Sequence, residues 1–283
     1  MNIFKDKTIL ITGSTGSFGT AFSKYLLDKE PKKIICFSRC WQKQMNLRND
    51  LENPDCMRWF IGDIRDKDRL IRAFKGVDIV IHAAAIKDLE SCEYNPSETM
   101  LTNIVGSQNV VDACIENEVE KCLFISTDKA VNPCTLYGTS KAVAEKLWLN
   151  ANVTSADDNI QFSVCRYGNV WGSAGSILPC WKKLIAEGAK ELPITDEHMT
   201  RFHFMMSDVC RFVEDSLGKM EGNELFIPRL PSIRIVDIAK AFNMPYKITG
   251  IRANEKIHEE MEPGINSGDN DQFLTVEEIR QIL

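Results

Sequence analysis

Short apolar runs alternate with amphipathic stretches through the first two-thirds of the chain. Lys7–Thr12 (KTILIT), Lys33–Ser38 (KIICFS), Met57–Gly62, Val77–Ala85 (VDIVIHAAA), Lys121–Ser126 (KCLFIS) and Gln161–Tyr167 (QFSVCRY) are such runs. Continuous apolar character with β-branched residues predicts strands buried on both faces. Helical patterns lie between them: from a glycine turn to about Lys29, from near Asp66, over Asn95–Asn117 with Pro96 at its start, and from Thr135 to Asn150. Strand and helix repeated in this way predict an α/β fold with a doubly wound parallel sheet. After residue 170 the pattern changes. A glycine-rich loop, Tyr167–Gly175, leads to a helix over Ser176–Glu187, the run Leu192–Ile194, and a helix over Ser207–Lys219. A strand over Glu224–Ile227 and a helix over Ile235–Phe242 follow. These segments predict a smaller C-terminal lobe, 171–283, beside a first domain of 1–170 to which parts of the later chain return. The polar, acidic stretch Glu262–Gln272 predicts a mobile tail, and Thr275 with Glu278 forms a capping box for a last helix.

Charge and composition narrow the classes. At 283 residues and a net charge of −6, the chain lacks the basic footprint that nucleic acid requires. No apolar run is long enough to span a membrane, and the first residues enter a strand without the pattern of a signal peptide, so a cytoplasmic protein is expected. Ten cysteines are scattered with no Cys-x-x-Cys, and the four histidines lie apart. Reduced, mostly buried thiols and no metal site are the expectation.

The polar residues at the strand ends carry the chemistry. Gly13-Ser-Thr15-Gly16-Ser17-Phe18-Gly19 follows the first strand and opens a helix, an arrangement in which backbone N–H groups meet a pyrophosphate. The second strand ends in Ser38-Arg39, where a guanidinium suits a ribose 2′-phosphate, so NADP is the expected cofactor, with Lys43 adding charge. Asp63, before Ile64, either accepts a hydrogen bond from an adenine amine or caps the helix near Asp66. Ala83, Ala84 and Ala85 end the fourth strand with small side chains over which a cofactor can lie flat, and Lys87 points to the same crevice. Asn103, inside the long helix, either binds the active-site backbone or a water, or faces solvent.

The stretch Ser126–Lys141, STDKAVNPCTLYGTSK, holds Asp128–Lys129, Tyr137 and Lys141. Tyr137 and Lys141 are four apart and share a helix face. An ammonium there lowers the pKa of the phenol and makes Tyr137 an acid/base. Spacing alone does not decide this, because Tyr25 and Lys29 share it inside the first helix and carry no assigned chemistry. The position of Tyr137 after a strand carboxyl end separates the two pairs. Further on, Arg201 and Arg252 are either cations for a substrate diphosphate or surface residues.

Gly13-x-x-Gly16-x-x-Gly19, the Ser126-Thr127 strand end and Tyr137-x-x-x-Lys141 together resemble the extended short-chain dehydrogenase/reductase superfamily. Within it, TGSTGSFG, FSR, GDIRD, HAAAIKD, STDKAVNP, LYGTSK, RYGNVWGSAGSILP, PITDEHMTRF and IRANEK resemble the UDP-N-acetylglucosamine 4,6-dehydratases that invert C5. The resemblance runs from about Thr8 to Glu259. It implies a Rossmann-type sheet, a recycled NADP and the substrate UDP-N-acetylglucosamine. It implies catalytic roles for Asp128, Lys129, Tyr137 and Lys141, the last two also touching the cofactor. Substrate contacts are implied for Lys87, Thr127, Asn169, Thr195, Arg201, Arg252 and Glu255. A homo-oligomer, dimer or larger, is implied through the helices around Asn95–Asn117 and Thr135–Asn150. Cys40 stands where the family commonly has an acidic residue, and Ala253-Asn254 where it has Pro-Gly. A C5-retaining dehydratase, a nucleotide-sugar 4-epimerase and a non-catalytic NADP-sensing module remain as alternatives.

Overall fold

The computed structural model describes residues 2–155, 159–252 and 254–283; Ala253, one of the two departures noted above, lies outside them. The chain begins β1 (Thr8–Thr12), α1 (Ser17–Leu27), β2 (Lys33–Ser38), α2 (Trp41–Asp50), β3 (Met57–Ile61), α3 (Lys67–Ala73) and β4 (Ile79–His82). It continues with α4 (Leu89–Tyr94), α5 (Pro96–Met100), a π-helical turn (Leu101–Val105), α6 (Gly106–Glu116), β5 (Lys121–Ile125), a 3-10 turn (Asp128–Ala130), α7 (Leu136–Thr154) and β6 (Gln161–Cys165). The remainder is β7 (Asn169–Val170), α8 (Ile177–Ala186), β8 (Leu192–Ile194), β9 (Thr200–Phe204), α9 (Met206–Lys219), β10 (Leu225–Phe226) and β11 (Ser232–Arg234). Then come α10 (Ile235–Ala241), β12 (Tyr246–Ile248), β13 (Glu260–Glu262), β14 (Ile265–Asn266) and α11 (Val276–Gln281).

Seven strands form one sheet in the order β10-β6-β5-β4-β1-β2-β3, every pairing parallel. All residues of β1 and β4 are buried, which is why those segments are apolar without alternation. One face packs on α1 and α9 through Phe22, Leu26, Val213 and Leu217. The other packs on α3, α6 and α7 through Leu70, Val110 and Trp148. Strand order reverses between β1 and β4, and the crevice outside their carboxyl ends is where open α/β sheets take ligands. Five cysteines, Cys36, Cys114, Cys122, Cys165 and Cys210, are buried among these apolar side chains as small hydrophobes, and a sixth, Cys92, is buried on α4. Among the described residues no helix is long and apolar enough to cross a membrane.

Helix α9 and strand β10, which follow residue 171, belong to this sheet and not to the smaller lobe. Tyr25 and Lys29 both bond Glu214 of α9, so their four-residue spacing serves to tie α9 to α1. The lobe proper is built from β11-β9-β7, the parallel pair β12-β8 and the β13-β14 hairpin, around Trp181, Ile194, Ile233, Ile238 and Ile279.

Two expectations change. The long helix over Asn95–Asn117 is interrupted by the π-helical turn, which holds Asn103 against the site. The tail expected to be mobile is tied down. Ser267 is fully buried, its hydroxyl 2.7 Å from that of Thr200, and the Asn270 amide donates to Leu230 O at 2.7 Å. Ser267 and Asn270 satisfy hydroxyl and backbone groups of the lobe, while Glu262, Asp269, Asp271 and Gln272 face water. The capping box at Thr275 and Glu278 is present on α11.

Candidate active site

A cleft of about 780 Å³ opens at the carboxyl ends of β1, β4 and β5, within the range that holds a small molecule. The turn after β1 forms its floor. Gly13 has φ +70, and a Cβ there would lie 2.8 Å from Ala84 Cα. Only glycine lets β1 leave the sheet this close to the β4 end and present backbone to a ligand. Thr15, Gly16, Ser17, Phe18 and Gly19 continue this wall, and Ala83, Ala84 and Ala85 form the next. Ser38, Arg39, Lys43, Asp63 and Ile64 line the far end. Arg39 stands 3.8 Å from Asp63, which is held by Arg65 at 2.7 Å. Asp66, not Asp63, caps α3, accepting from the Arg69 N–H.

The other end gathers Thr127, Asp128, Lys129, Tyr137, Lys141, Asn169, Arg201, Arg252 and Glu255. Of the residues expected to touch cofactor or substrate, Thr195 alone lies elsewhere; it lines an adjoining cavity of about 370 Å³ that shares Asn169, Arg201, Arg252 and Glu255 with the cleft. Lys87 donates to Ala174 O at 2.9 Å, and the Ala174 N–H donates to the Ser17 hydroxyl at 2.9 Å, so the loop after β7 is fastened to both. Arg252 is largely exposed and pairs with Glu90 at 2.9 Å at the cleft mouth.

The reactive groups are placed by local structure. The chain leaves β5, makes the 3-10 turn, and enters α7 with Thr135 as cap, accepting from the Gly138 N–H at 3.0 Å. A Cβ on Gly138 would sit 2.2 Å from Lys129 O, so glycine is what allows the first turn of α7 to press on the Asp128–Lys129 backbone. Asn103 reaches in from the π-helical turn. Its side chain accepts from the Ile86 N–H at 2.8 Å and donates to Ile86 O at 2.9 Å and the Ser140 hydroxyl at 3.0 Å. It therefore binds the active-site backbone, the first of its two readings.

Tyr137 and Lys141 share the expected face, but their electrostatics differ from expectation. Burial pushes the Tyr137 phenol up to about 12, and the cation opposing that shift is Lys129. Lys141 donates to Ile125 O at 2.7 Å and lies 3.9 Å from the centre of the Phe124 ring. Burial lowers its pKa to about 7, against the pull of Glu145. An amine turned to the end of β5 and so reluctant to stay charged does not acidify the phenol.

Asp128 is buried; its Oδ1 accepts from the Thr127 hydroxyl at 2.9 Å and from Lys129 at 3.1 Å, while Oδ2 has no partner among the described residues. Burial raises its pKa, with Lys129 working against the rise. Lys129 also bonds Glu259, at 2.9 Å. Desolvation disfavours its ammonium, but Asp128 and Glu259 outweigh that and raise its pKa. Glu259, on the segment leading into β13, was not singled out by sequence. Nothing but fold separates it from Glu260, because the two are adjacent and only the alternation into β13 buries the first. Lys256, donating to Val131 O at 2.6 Å, and Ser126, bonded to Glu145 at 2.5 Å, line the cleft as well; both lie in the stretches quoted above, but neither was assigned a contact there.

This geometry has close parallels. The family model described as polysaccharide biosynthesis protein matches residues 9–282. A protein of Campylobacter jejuni named UDP-N-acetylglucosamine 4,6-dehydratase (inverting) is 52% identical over 278 residues, covering 97% of this chain and 81% of that one. A UDP-glucose 4-epimerase of Rickettsia bellii is 40% identical over 269 residues, covering 92% of this chain and 78% of that one. Among solved structures, Pen from Bacillus thuringiensis superposes with a TM-score of 0.92 at 31% identity, covering 99% of this chain and 97% of that one. The chain belongs to the polysaccharide biosynthesis protein family, on the fold of the extended short-chain dehydrogenase/reductases.

Proposed function

We propose that this protein is an NADP-dependent UDP-N-acetylglucosamine 4,6-dehydratase that inverts C5. The observation that carries the reading is a buried Asp128–Lys129 couple facing the same cleft as Tyr137, in a chain 52% identical to a protein of that name. The close approach at Gly13 and the Arg39–Lys43 edge fit a dinucleotide with a 2′-phosphate: Gly13, Gly16 and Gly19 would face the pyrophosphate, and Ser38, Arg39 and Lys43 the ribose. When bound, the oxidised nicotinamide supplies a hydride acceptor for C4 and, reduced, a donor for C6. The seven-stranded sheet and its helices, α9 included, would hold it, and the lobe built on β11-β9-β7 would hold the sugar nucleotide, with Arg201 and the adjoining cavity on the diphosphate and base side.

In this reading Tyr137 acts as the phenolate, which burial opposes and which Lys129, the Thr127 hydroxyl and the positive charge of a bound oxidised nicotinamide would favour, and it receives the O4 proton as the C4–H bond is oxidised. The 4-ketone makes the C5 proton acidic. The Asp128–Lys129 couple shares one proton across 3.1 Å, and for this step that proton would sit on Asp128, leaving the Lys129 amine neutral as the base. Lys129 takes the C5 proton, its electron pair moving towards C4, and Asp128 gives its proton to O6, which leaves C6 as water. The burial that raises the Asp128 pKa favours this proton-donor role. A proton then returns to C5 on the opposite face. Exposed Met100, Leu101, Val105 and Val143 support a homo-oligomer through α5–α6 and α7.

The test is incubation with NADP and UDP-N-acetylglucosamine in heavy water. Loss of water, deuterium at C5 and an L-configured product by NMR are expected. A C4 epimer without deuterium would replace this reading with that of the epimerase relatives, and a retained C5 configuration with a retaining dehydratase.

A further inference from the structure

Lys129 is held by two carboxylates, and the mechanism above uses only one. The second, Glu259, arrives from the far end of the chain and is almost fully buried. Its Oε1 is 2.9 Å from Lys129 Nζ, while Oε2 is buried without a partner among the described residues. Arg201 Nε stands 3.9 Å away, too far for a hydrogen bond, because the Arg201 fork is committed to Thr200 O at 2.7 Å and Ile257 O at 3.0 Å. The Glu259 backbone is fixed on both sides. Its N–H donates to the Ser267 hydroxyl at 3.0 Å, its carbonyl accepts from the Ser267 N–H at 2.8 Å, and Arg166 donates to Met261 O at 2.9 Å. A side chain placed this firmly, with its one short contact to the amine, is built to act on that amine.

Resting on the dehydratase reading, we propose that Glu259 is a positioning residue for Lys129, orienting its amine towards C5 and stabilising the ammonium formed when it takes the C5 proton. In that step the C5–H bond breaks, an N–H bond forms on Lys129, and the electron pair passes to the ketone side. The Asp128 proton goes to O6, and Glu259 keeps its charge throughout. This is the relation of a triad carboxylate to its histidine, transferred to a lysine. The charged groups facing Glu259 are Lys129 and Asp128 from the 3-10 turn, Arg201 from β9, and Lys256 from the preceding loop. Glu255 faces Arg201 from the same loop, at 3.8 Å. Lys129 and Arg201 outweigh the desolvation of Glu259 and keep its pKa low, so it remains an anion.

The experiment compares full-length wild type, Glu259→Gln and Glu259→Asp by deuterium incorporation at C5 across pH. With Gln, kcat falls roughly ten- to a hundredfold, as for one charge-assisted hydrogen bond, with KM unchanged. The pH profile moves bodily to lower pH, because a negative charge that raises the pKa of the Asp128–Lys129 couple is gone. With Asp, the charge stays and the reach shortens, so the rate falls while the profile stays in place. A Gln variant with an unmoved profile, at whatever rate, overturns the proposal. If the Gln variant does not fold, the Asp variant decides: a slower enzyme with an unmoved profile upholds the proposal, and a wild-type rate overturns it. If wild type itself releases no water, the dehydratase reading falls first, and the two failures are told apart.

Discussion

Glu145→Gln probes how far the scaffold behind the site is responsible for its order. Glu145 lies one turn beyond Lys141 on α7, almost fully buried. Its Oε1 accepts from the Ser126 hydroxyl at 2.5 Å and Arg166 Nε at 2.9 Å, and its Oε2 from Arg166 Nη2 at 2.5 Å. The two side chains are 7% and 10% exposed, so water cannot replace what is lost. Replacing the carboxylate with an amide leaves the Arg166 guanidinium buried without a counter-charge, which costs about 3–5 kcal/mol. For a chain of this size about 2–4 °C of melting temperature goes with each kcal/mol, so the Tm falls by roughly 6 °C or more. Urea unfolding should show a lower midpoint with an unchanged slope. Arg166→Met alone should cost a similar amount, and the double variant about 2–3 kcal/mol less than the sum, because the remaining charge is removed with its partner. The loss carries a functional mark, since Arg166 also holds Met261 O, two residues beyond Glu259. C5 exchange should drop further than formation of reduced nicotinamide. A Glu145→Gln variant within about 0.5 kcal/mol of wild type, with additive behaviour in the cycle, would refute the reasoning.

Three further outcomes follow from the site. Lys141 has a folded pKa near 7 against an ordinary value of 10.5, so its burial penalty is full below about pH 7 and vanishes as pH passes 10.5. Lys141→Met should therefore raise Tm in neutral buffer, and the gain should shrink on the way to alkaline pH; a gain independent of pH would count against it. Arg39→Ala should weaken NADP by roughly tenfold to a hundredfold and leave NAD unchanged, read by fluorescence titration, since one charge-assisted contact to a phosphate is removed. Asn103→Ala should cost about 1–3 kcal/mol and raise amide exchange at Ile86, because the Ile86 N–H loses its partner and its carbonyl keeps only the weaker Cys92 thiol in a part-buried site.

What the sequence could show depended on how local the cause was. β2 runs over Lys33–Ser38 as expected, because burial on both faces is written as an unbroken apolar run. The cleft residues from Gly13 to Lys141 sit at strand ends, where sheet topology brings them together whatever the loops do. The interruption between α5 and α6 was hidden, because Asn103 is drawn into the structure by Ile86 and Ser140, partners 17 and 37 residues away. The tail read as mobile because its polarity looked like solvation, when Ser267 and Asn270 spend it on the lobe. The Tyr137–Lys141 electrostatics were misjudged for a related reason. Spacing puts the two on one face, but the nearest acceptor for the amine, Ile125 O, belongs to a strand 16 residues earlier.

The same distinction explains why an adjacent Asp–Lys couple becomes something other than a surface ion pair. Two neighbours at a strand end are a local feature, and in water such a pair is worth little. Here two later segments change its meaning. β9 brings Arg201 within 3.9 Å of Glu259, and the segment before β13 brings Glu259 to 2.9 Å from the amine that Asp128 also bonds. Both carboxylates touch Lys129, yet their pKa values are displaced in opposite directions. Burial lifts Asp128. Lys129 and Arg201 together overcome burial and depress Glu259. Two acids on one base, pushed apart by what stands behind them, suit the two roles of the proposed reaction: the one that burial makes readier to take up a proton would deliver it to a leaving oxygen, and the one kept as an anion would hold the base in place. That division needs a residue 130 positions beyond Lys129 in sequence, and so the site is complete only when the C-terminal lobe has closed on the sheet.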